Sequence, residues 1–178
     1  MQKALQKIKL LALDVDGVLT DGTINISADG ECFKGFNAKD GLGISCALRN
    51  DLQIAIITGR KSLIIHKRAQ ELGIALLREG VKDKCAELDN LCKELTLLKE
   101  QVAYMGDDLN DLPAFRVAGV TFAPQDAAAE VQAAADIVVP KCGGHGAVRA
   151  TVETILRAQE KREQIVAAYL ECGQGDKQ

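Results

Sequence analysis

Short apolar runs alternate with longer amphipathic stretches along almost the whole chain, and this rhythm constrains the fold more than any other feature. Residues 8–15 (IKLLALDV), 52–59 (LQIAIITG), 74–80 (IALLREG), 101–108 (QVAYMGDD), 120–124 (VTFAP) and 136–140 (DIVVP) read as strands. Between them, residues 40–51, 61–73, 82–95, 111–119 and 126–135 read as helices, and a long final helix runs from about residue 145 through the 160s. In 82–95, Cys85, Leu88, Leu91, Cys92 and Leu95 recur at spacings of three and four, one face of a helix.

Such alternation predicts an α/β fold: a Rossmann-like, doubly wound parallel sheet with helices on both faces and right-handed crossovers. Ligands of such sheets bind beyond the carboxyl ends of the strands. Residues 23–27 and 31–36 flank the turn ADG and predict a β-hairpin insertion after the first strand. With 178 residues and no internal repeat or linker, the chain is expected to be one domain, with a flexible tail from about residue 170.

Composition narrows the function classes. A net charge of −3, with four Phe, two Tyr and no Trp, argues against a dedicated nucleic-acid binder. No run approaches a membrane span, and the first residues carry no secretory signal, so a cytoplasmic protein is expected. The six cysteines form no CxxC pair and no metal spacing, and are expected to be reduced and mostly packing residues.

The strand ends carry residues that strand propensity would not choose. The first ends in Asp14, Val15, Asp16 and Gly17, the next in Thr58, Gly59 and Arg60, and a later one in Gly106, Asp107 and Asp108, with Asp111 following. Lys84 opens the helix after the 74–80 strand. Each of these alone reads as a cap or turn residue, but a parallel sheet brings them all to one edge. Two carboxylates about 5 Å apart repel by roughly 3 kcal/mol at an effective dielectric of 20, so the cluster needs a counter-cation. A hard divalent ion with oxygen ligands, Mg²⁺, fits.

His66 and His145 are the only histidines, and no Ser/His/Asp set is available. A carboxylate can itself act as nucleophile and form an aspartyl phosphate. A second acid can protonate the leaving oxygen and then deprotonate water. A Thr hydroxyl, backbone N–H groups and a Lys can hold phosphoryl oxygens as charge spreads over them.

At these residues the chain resembles the haloacid dehalogenase superfamily of phosphohydrolases. The motifs are DVDGVLTDG from Asp14 to Gly22, ITGR from Ile57 to Arg60, Lys84, and GDDLNDLP from Gly106 to Pro113. The resemblance implies that Asp14 is the nucleophile and a metal ligand. Asp16 would be the general acid/base, with its backbone carbonyl also on the metal. Thr58 and Lys84 would bind the phosphoryl group, Asp107 would complete the Mg²⁺ site, and Asp108 and Asp111 would support it.

Superfamily members often insert a cap domain between the first two motifs or after the lysine. Here the hairpin and one helix fill the stretch from Asp16 to Thr58, and one helix and one strand fill that from Lys84 to Asp107, so no cap is expected. The hairpin buries little by itself and is expected to associate with copies from other subunits. The chain is similar to the capless subfamily, which implies a homotetramer formed through the 22–36 hairpin and a phosphorylated sugar acid as substrate. The similarity extends to FNAKDG (Phe36 to Gly41) and GGHGAVRA (Gly143 to Ala150), where Ala150 replaces the family's usual acid.

By the same resemblance Asp16, Asn37, Ala38, Lys39, Asp40, Gly41, Ser45, Arg60, Arg68 and Lys84 belong to the substrate site. In relatives acting on a nine-carbon acid the position of Arg60 tends to be Glu, so Arg60 favours an eight-carbon substrate. The family's C-terminal tail can reach over a neighbour's site, and residues 170–178 stand where it would begin. Two rival readings are a phosphoacceptor regulatory domain, which would need its phosphorylated Asp on a later strand, and a non-catalytic phosphatase-like module, which would need a degraded motif.

Overall fold

The computed structural model describes residues 1–172. In chain order its elements are α1 (Gln2–Leu5), β1 (Leu10–Leu13), β2 (Asn25–Ser27), β3 (Gly30–Phe33), α2 (Ala38–Leu48), β4 (Gln53–Ile57), α3 (Leu63–Leu72), β5 (Leu76–Arg78), α4 (Lys84–Glu94), β6 (Val102–Met105), α5 (Leu112–Phe115), β7 (Val120–Pro124), α6 (Ala129–Ala134), β8 (Ile137–Val139), α7 (Ala147–Ala158) and α8 (Arg162–Cys172). Six strands form one parallel sheet in the order β5-β4-β1-β6-β7-β8, and β2 and β3 pair antiparallel as a separate hairpin. This is the expected doubly wound sheet with a hairpin after β1 and no cap domain.

β1 lies between β4 and β6, where the strand order reverses, and is fully buried on both faces. That explains its unbroken apolar LLAL, since a strand covered on both sides has no solvent face to alternate with. Leu11 and Leu13 join the core formed with Ile44, Ala47, Ile65, Ala69, Val148, Val152 and Ile155 of α2, α3 and α7. Leu10 and Ala12 point the other way, into the core built with Leu88 and Leu91 of α4 and Ala114 of α5.

Local chemistry sets the element boundaries. The Ser62 hydroxyl caps α3 by accepting from Ile65 N, and Gly73 ends that helix at φ +73°. Asp83 caps α4 by accepting from Ala86 N, which places Lys84 in its first turn. The single long final helix expected from the sequence is two helices. Between them Glu160 adopts φ +60°, a left-handed conformation that an α-helix cannot contain, and the Lys161 ammonium is tied to the Asn50 carbonyl at 2.6 Å. Residues 170–172, expected in a flexible tail, belong to α8, and the remainder of that tail, 173–178, lies outside the described residues.

Among the described residues no helix is long and apolar enough to cross a membrane. Cys46 and Cys92 pack in the core as expected, Cys85 and Cys142 are half-buried, and Cys32 is exposed on the hairpin; all five are free thiols.

Candidate active site

The buried β1 delivers Asp14 to the carboxyl edge of the sheet, where its N–H still donates to the Met105 carbonyl of β6 at 3.0 Å. The chain then turns sharply, with the N–H groups of Val18, Leu19 and Thr20 all donating to the Val15 carbonyl. Gly17 is obligatory in this turn. It has φ +90°, and a Cβ there would lie 1.9 Å from Asp107 Oδ2. The turn after β6 therefore packs directly on the turn after β1.

Lys84 lies at the centre of the acids. Its ammonium, with a side chain 2% exposed, meets Asp14 Oδ2 at 2.9 Å and Asp111 Oδ1 at 2.6 Å. Asp111 is fully buried and saturated. Oδ1 also accepts from the Tyr104 hydroxyl at 2.7 Å, and Oδ2 accepts from Asp107 N at 3.0 Å and Asp108 N at 3.3 Å. Asp111 thus shapes the loop after β6 and anchors Lys84. Tyr104, a strand residue that sequence reasoning missed, is its fourth partner, and burial followed by the Asp111 charge raises its phenol well above 10.

Carboxylate oxygens of Asp14, Asp107 and Asp111 can all lie within 4.8 Å of one another. Burial first, then the Asp111 charge, raises the Asp14 pKa to about 6, with Lys84 opposing. Burial and the charges of Asp14, Asp111 and Asp108 raise Asp107 to about 7. Asp107 Oδ1 is buried without a hydrogen-bond partner. Since buried polar atoms are nearly always partnered, and since Lys84 alone does not neutralise the acids, the donor set fits a hard divalent cation. With Asp111 already saturated, Asp14 and Asp107 are the carboxylates left to hold it.

A crevice of about 280 Å³ opens on this cluster, lined by Asp14, Asp16, Thr58, Gly59, Arg60, Asp107, Asp108 and others. Thr58 is buried at the end of β4, its hydroxyl accepting from Arg60 N at 3.4 Å. Asp108 is exposed and caps the short turn after β6 by accepting from Leu109 N.

Asp16 faces a different environment from Asp14. Its Oδ1 accepts from the Lys34 ammonium at 2.5 Å, and its Oδ2 lies 3.4 Å from Arg60 Nε. Lys34 also pairs with Glu31 Oε1 at 3.1 Å, and the other Glu31 oxygen accepts from the Ser62 hydroxyl. Burial alone would lower the Lys34 pKa, but the hydrogen bonds and charges of Asp16 and Glu31 outweigh it and hold it above the usual lysine value. Sequence reasoning missed Lys34; its only signal was a cation in a hairpin otherwise expected to pair with another chain.

The remaining substrate-site candidates gather elsewhere. Asn37, Asp40, Gly41 and Arg68 line a small second cavity with Leu19, Phe36, Ile44 and Leu72. Arg68 stacks 5.5 Å over the Phe36 ring and pairs with Glu71 at 2.8 Å. Asp40 is buried, accepting from Gly146 N at 3.2 Å and Arg149 N at 2.7 Å at the start of α7. Asn37 caps α2 through Lys39 N and donates to the Gly144 carbonyl at 3.2 Å. These bonds explain why FNAKDG and GGHGAVRA occur together: the first motif caps the second. Ala38 and Lys39 are exposed, and Ser45 is half-buried within α2. The single chain therefore brings Asp14, Asp16, Thr58, Arg60, Lys84 and Asp107 together, but not Asn37 to Gly41, Ser45 or Arg68.

Residues 74–150 match the family model of haloacid dehalogenase-like hydrolases. The chain is 44% identical over 161 residues to the 3-deoxy-D-manno-octulosonate 8-phosphate phosphatase of Haemophilus influenzae, covering 90% of this chain and 89% of that protein. It is 43% identical to the Escherichia coli K12 enzyme of the same name over 159 residues, covering 89% and 85%. Among solved structures, it superposes with a TM-score of 0.91 and 39% identity on the Moraxella catarrhalis phosphatase in complex with magnesium, phosphate and KDO, covering 94% of this chain and 97% of that one. A cobalt-bound H. influenzae phosphatase gives a TM-score of 0.91 at 41% identity, covering 94% and 99%.

Proposed function

The chain belongs to the haloacid dehalogenase-like hydrolases, in the branch of the 3-deoxy-D-manno-octulosonate 8-phosphate phosphatases, and on that premise we propose that it is a Mg²⁺-dependent phosphatase releasing KDO and phosphate from KDO 8-phosphate, a step toward lipopolysaccharide. The observation that carries the reading is the buried Asp14–Lys84 pair at 2.9 Å beside the unpartnered oxygen of Asp107.

Asp14, rigid at the end of β1, attacks phosphorus and becomes the aspartyl phosphate. Lys84 orients its carboxylate and, with the Thr58 hydroxyl, binds the phosphoryl oxygens as charge develops on them. Asp16 donates a proton to the leaving sugar oxygen and then takes one from the water that cleaves the acyl phosphate. Asp14, Asp107 and the Asp16 backbone carbonyl would hold Mg²⁺, which when bound supplies positive charge against the acids and the phosphoryl group. Asp108 and Asp111 support this shell.

Arg60, exposed at the crevice mouth, suits the substrate carboxylate and favours the eight-carbon over the nine-carbon acid. Asn37 to Gly41, Ser45 and Arg68 complete the sugar site in the assembled protein. That assembly is a homotetramer formed through the 22–36 hairpin, whose Ile26 and Phe33 side chains, 71% and 60% exposed, are the apolar surface a neighbour would cover. The free thiols suit a cytoplasmic enzyme.

Phosphate release with Mg²⁺ across a panel of sugar phosphates tests the reading. KDO 8-phosphate is expected to exceed generic esters by orders of magnitude in kcat/KM, and equal rates would refute the substrate assignment. Sedimentation of the purified protein tests the tetramer.

A further inference from the structure

The hairpin has an inverted layout. Its apolar Ile26 and Phe33 side chains are exposed, whereas Lys34 is the one buried residue between 21 and 36. Burying a lysine is costly unless it is paired, and Lys34 is paired on both sides, with Asp16 at 2.5 Å and Glu31 at 3.1 Å. Hydrophobicity did not place this residue.

We propose that Lys34 is a positioning residue for the reaction, holding the Asp16 carboxylate in the one orientation that serves both of its proton transfers. This rests on the phosphatase reading above. Of the two cations on Asp16, Arg60 is the weaker constraint, since it is 60% exposed at 3.4 Å and exposed ion pairs restrain little. Lys34 has a side chain 2% exposed, and its own position is fixed. Glu31 binds the Ser62 hydroxyl, Ser62 caps α3, and Ser62 N donates to Glu79 Oε1 at 2.9 Å. A continuous chain of polar contacts thus runs from Asp16 through the hairpin to the helix that follows Thr58–Gly59–Arg60. An acid that must first give and then accept a proton gains from such fixed placement, because a displacement of about 1 Å can cost about 100-fold in rate.

The test compares Lys34→Met with the unaltered protein on two esters. A sugar phosphate leaves as an alkoxide that needs a proton, whereas p-nitrophenyl phosphate leaves as a phenolate that does not. Lys34→Met is expected to lower kcat on the sugar phosphate by about 30- to 100-fold with KM changed less than about threefold, while the first-turnover burst of p-nitrophenolate changes by less than about threefold. Lys34→Arg should recover most of the lost kcat. In an Asp16→Asn background, Lys34→Met should have no further effect, since its influence passes through Asp16. Glu31→Gln, which slackens Lys34 without touching Asp16, should give the same pattern at smaller size and serves if Lys34→Met does not fold. An additive effect in the Asp16→Asn background, or a loss confined to KM, would overturn the assignment and make Lys34 a substrate contact. If the unaltered protein hydrolyses neither ester, the phosphatase reading falls and this assignment with it; additivity in an active protein removes the assignment alone.

Discussion

Asp14 and Asp16 stand two residues apart on one turn and have opposite surroundings. Asp14 lies among acids, held by one buried lysine and close to Asp107, one of whose oxygens has no hydrogen-bond partner. Asp16 lies among cations, Lys34 and Arg60, at the wall of the crevice. The backbone accounts for the separation. One residue earlier the chain is still a strand at the centre of the sheet, and one residue later it has turned toward the hairpin. The roles proposed for them, a nucleophile beside a metal and an acid beside a leaving group, need different electrostatics, and a single intervening residue separates the two environments.

Breaking the Asp14 side should have the largest effect. Asp14→Asn removes the nucleophile, and turnover is expected to fall by about 10⁴-fold or more while circular dichroism and melting show an intact fold. Residual activity within about tenfold of the unaltered protein would refute the covalent route. Lys84→Met should follow closely and should differ in kind. It leaves Asp14 and Asp111 as buried, unpaired carboxylates, so stability is expected to fall by about 3–5 kcal/mol along with activity. Urea denaturation reads this, and an unchanged midpoint would mean that Lys84 does not anchor the cluster.

The acid-rich side also has a pH signature. In metal-free protein Asp14 titrates near 6 and Asp107 near 7, both above the ordinary 3.8. Groups whose pKa is raised by folding favour the folded state fully below about pH 4, and that contribution is lost as pH rises through 6 to 7. The increase in melting temperature caused by Mg²⁺ should therefore be small at pH 5 and largest at pH 8. An increment independent of pH would show that the cation does not meet these acids. The smallest expected effect is that of Tyr104→Phe. It removes one of four donors to Asp111 and should cost about 1–2 kcal/mol with only a modest loss of kcat, read by the same melts and assays.

Much of the Asp14 side was legible in the sequence, because its logic is local to strand ends. An apolar run buried on both faces, stopped by a polar residue, predicts a side chain presented at the sheet edge, and three such ends with Lys84 at the start of a helix give the cluster once the strands are parallel. On the Asp16 side Asp16 and Arg60 were legible, but Lys34 was not. Lys34 reaches Asp16 through the folding-back of the hairpin, and no periodicity reports that. The same holds for the bonds of Asp40, whose carboxylate caps α7 over a hundred positions away, and for Tyr104, whose hydroxyl meets Asp111 from the middle of an apolar strand. The break between α7 and α8 was not legible because Glu160 is an ordinary helix former; its left-handed backbone closes a local capping turn in which Lys161 N donates to the Leu156 carbonyl and Glu160 N to the Arg157 carbonyl.

The late glycines carry a consequence for the timing of folding. A Cβ on Gly143 would lie 1.8 Å from the Gly17 carbonyl oxygen, and one on Gly144 would lie 2.6 Å from Asp21 N. The turn that follows Asp14 is thus walled by a loop more than a hundred positions further along the chain. β1 likewise waits for β6 to become a central strand. Contacts between positions so distant in sequence form slowly, so the loop that holds Asp14 is expected to be completed late in folding. The site that Asp14 presents is thus complete only when segments more than a hundred positions apart have docked.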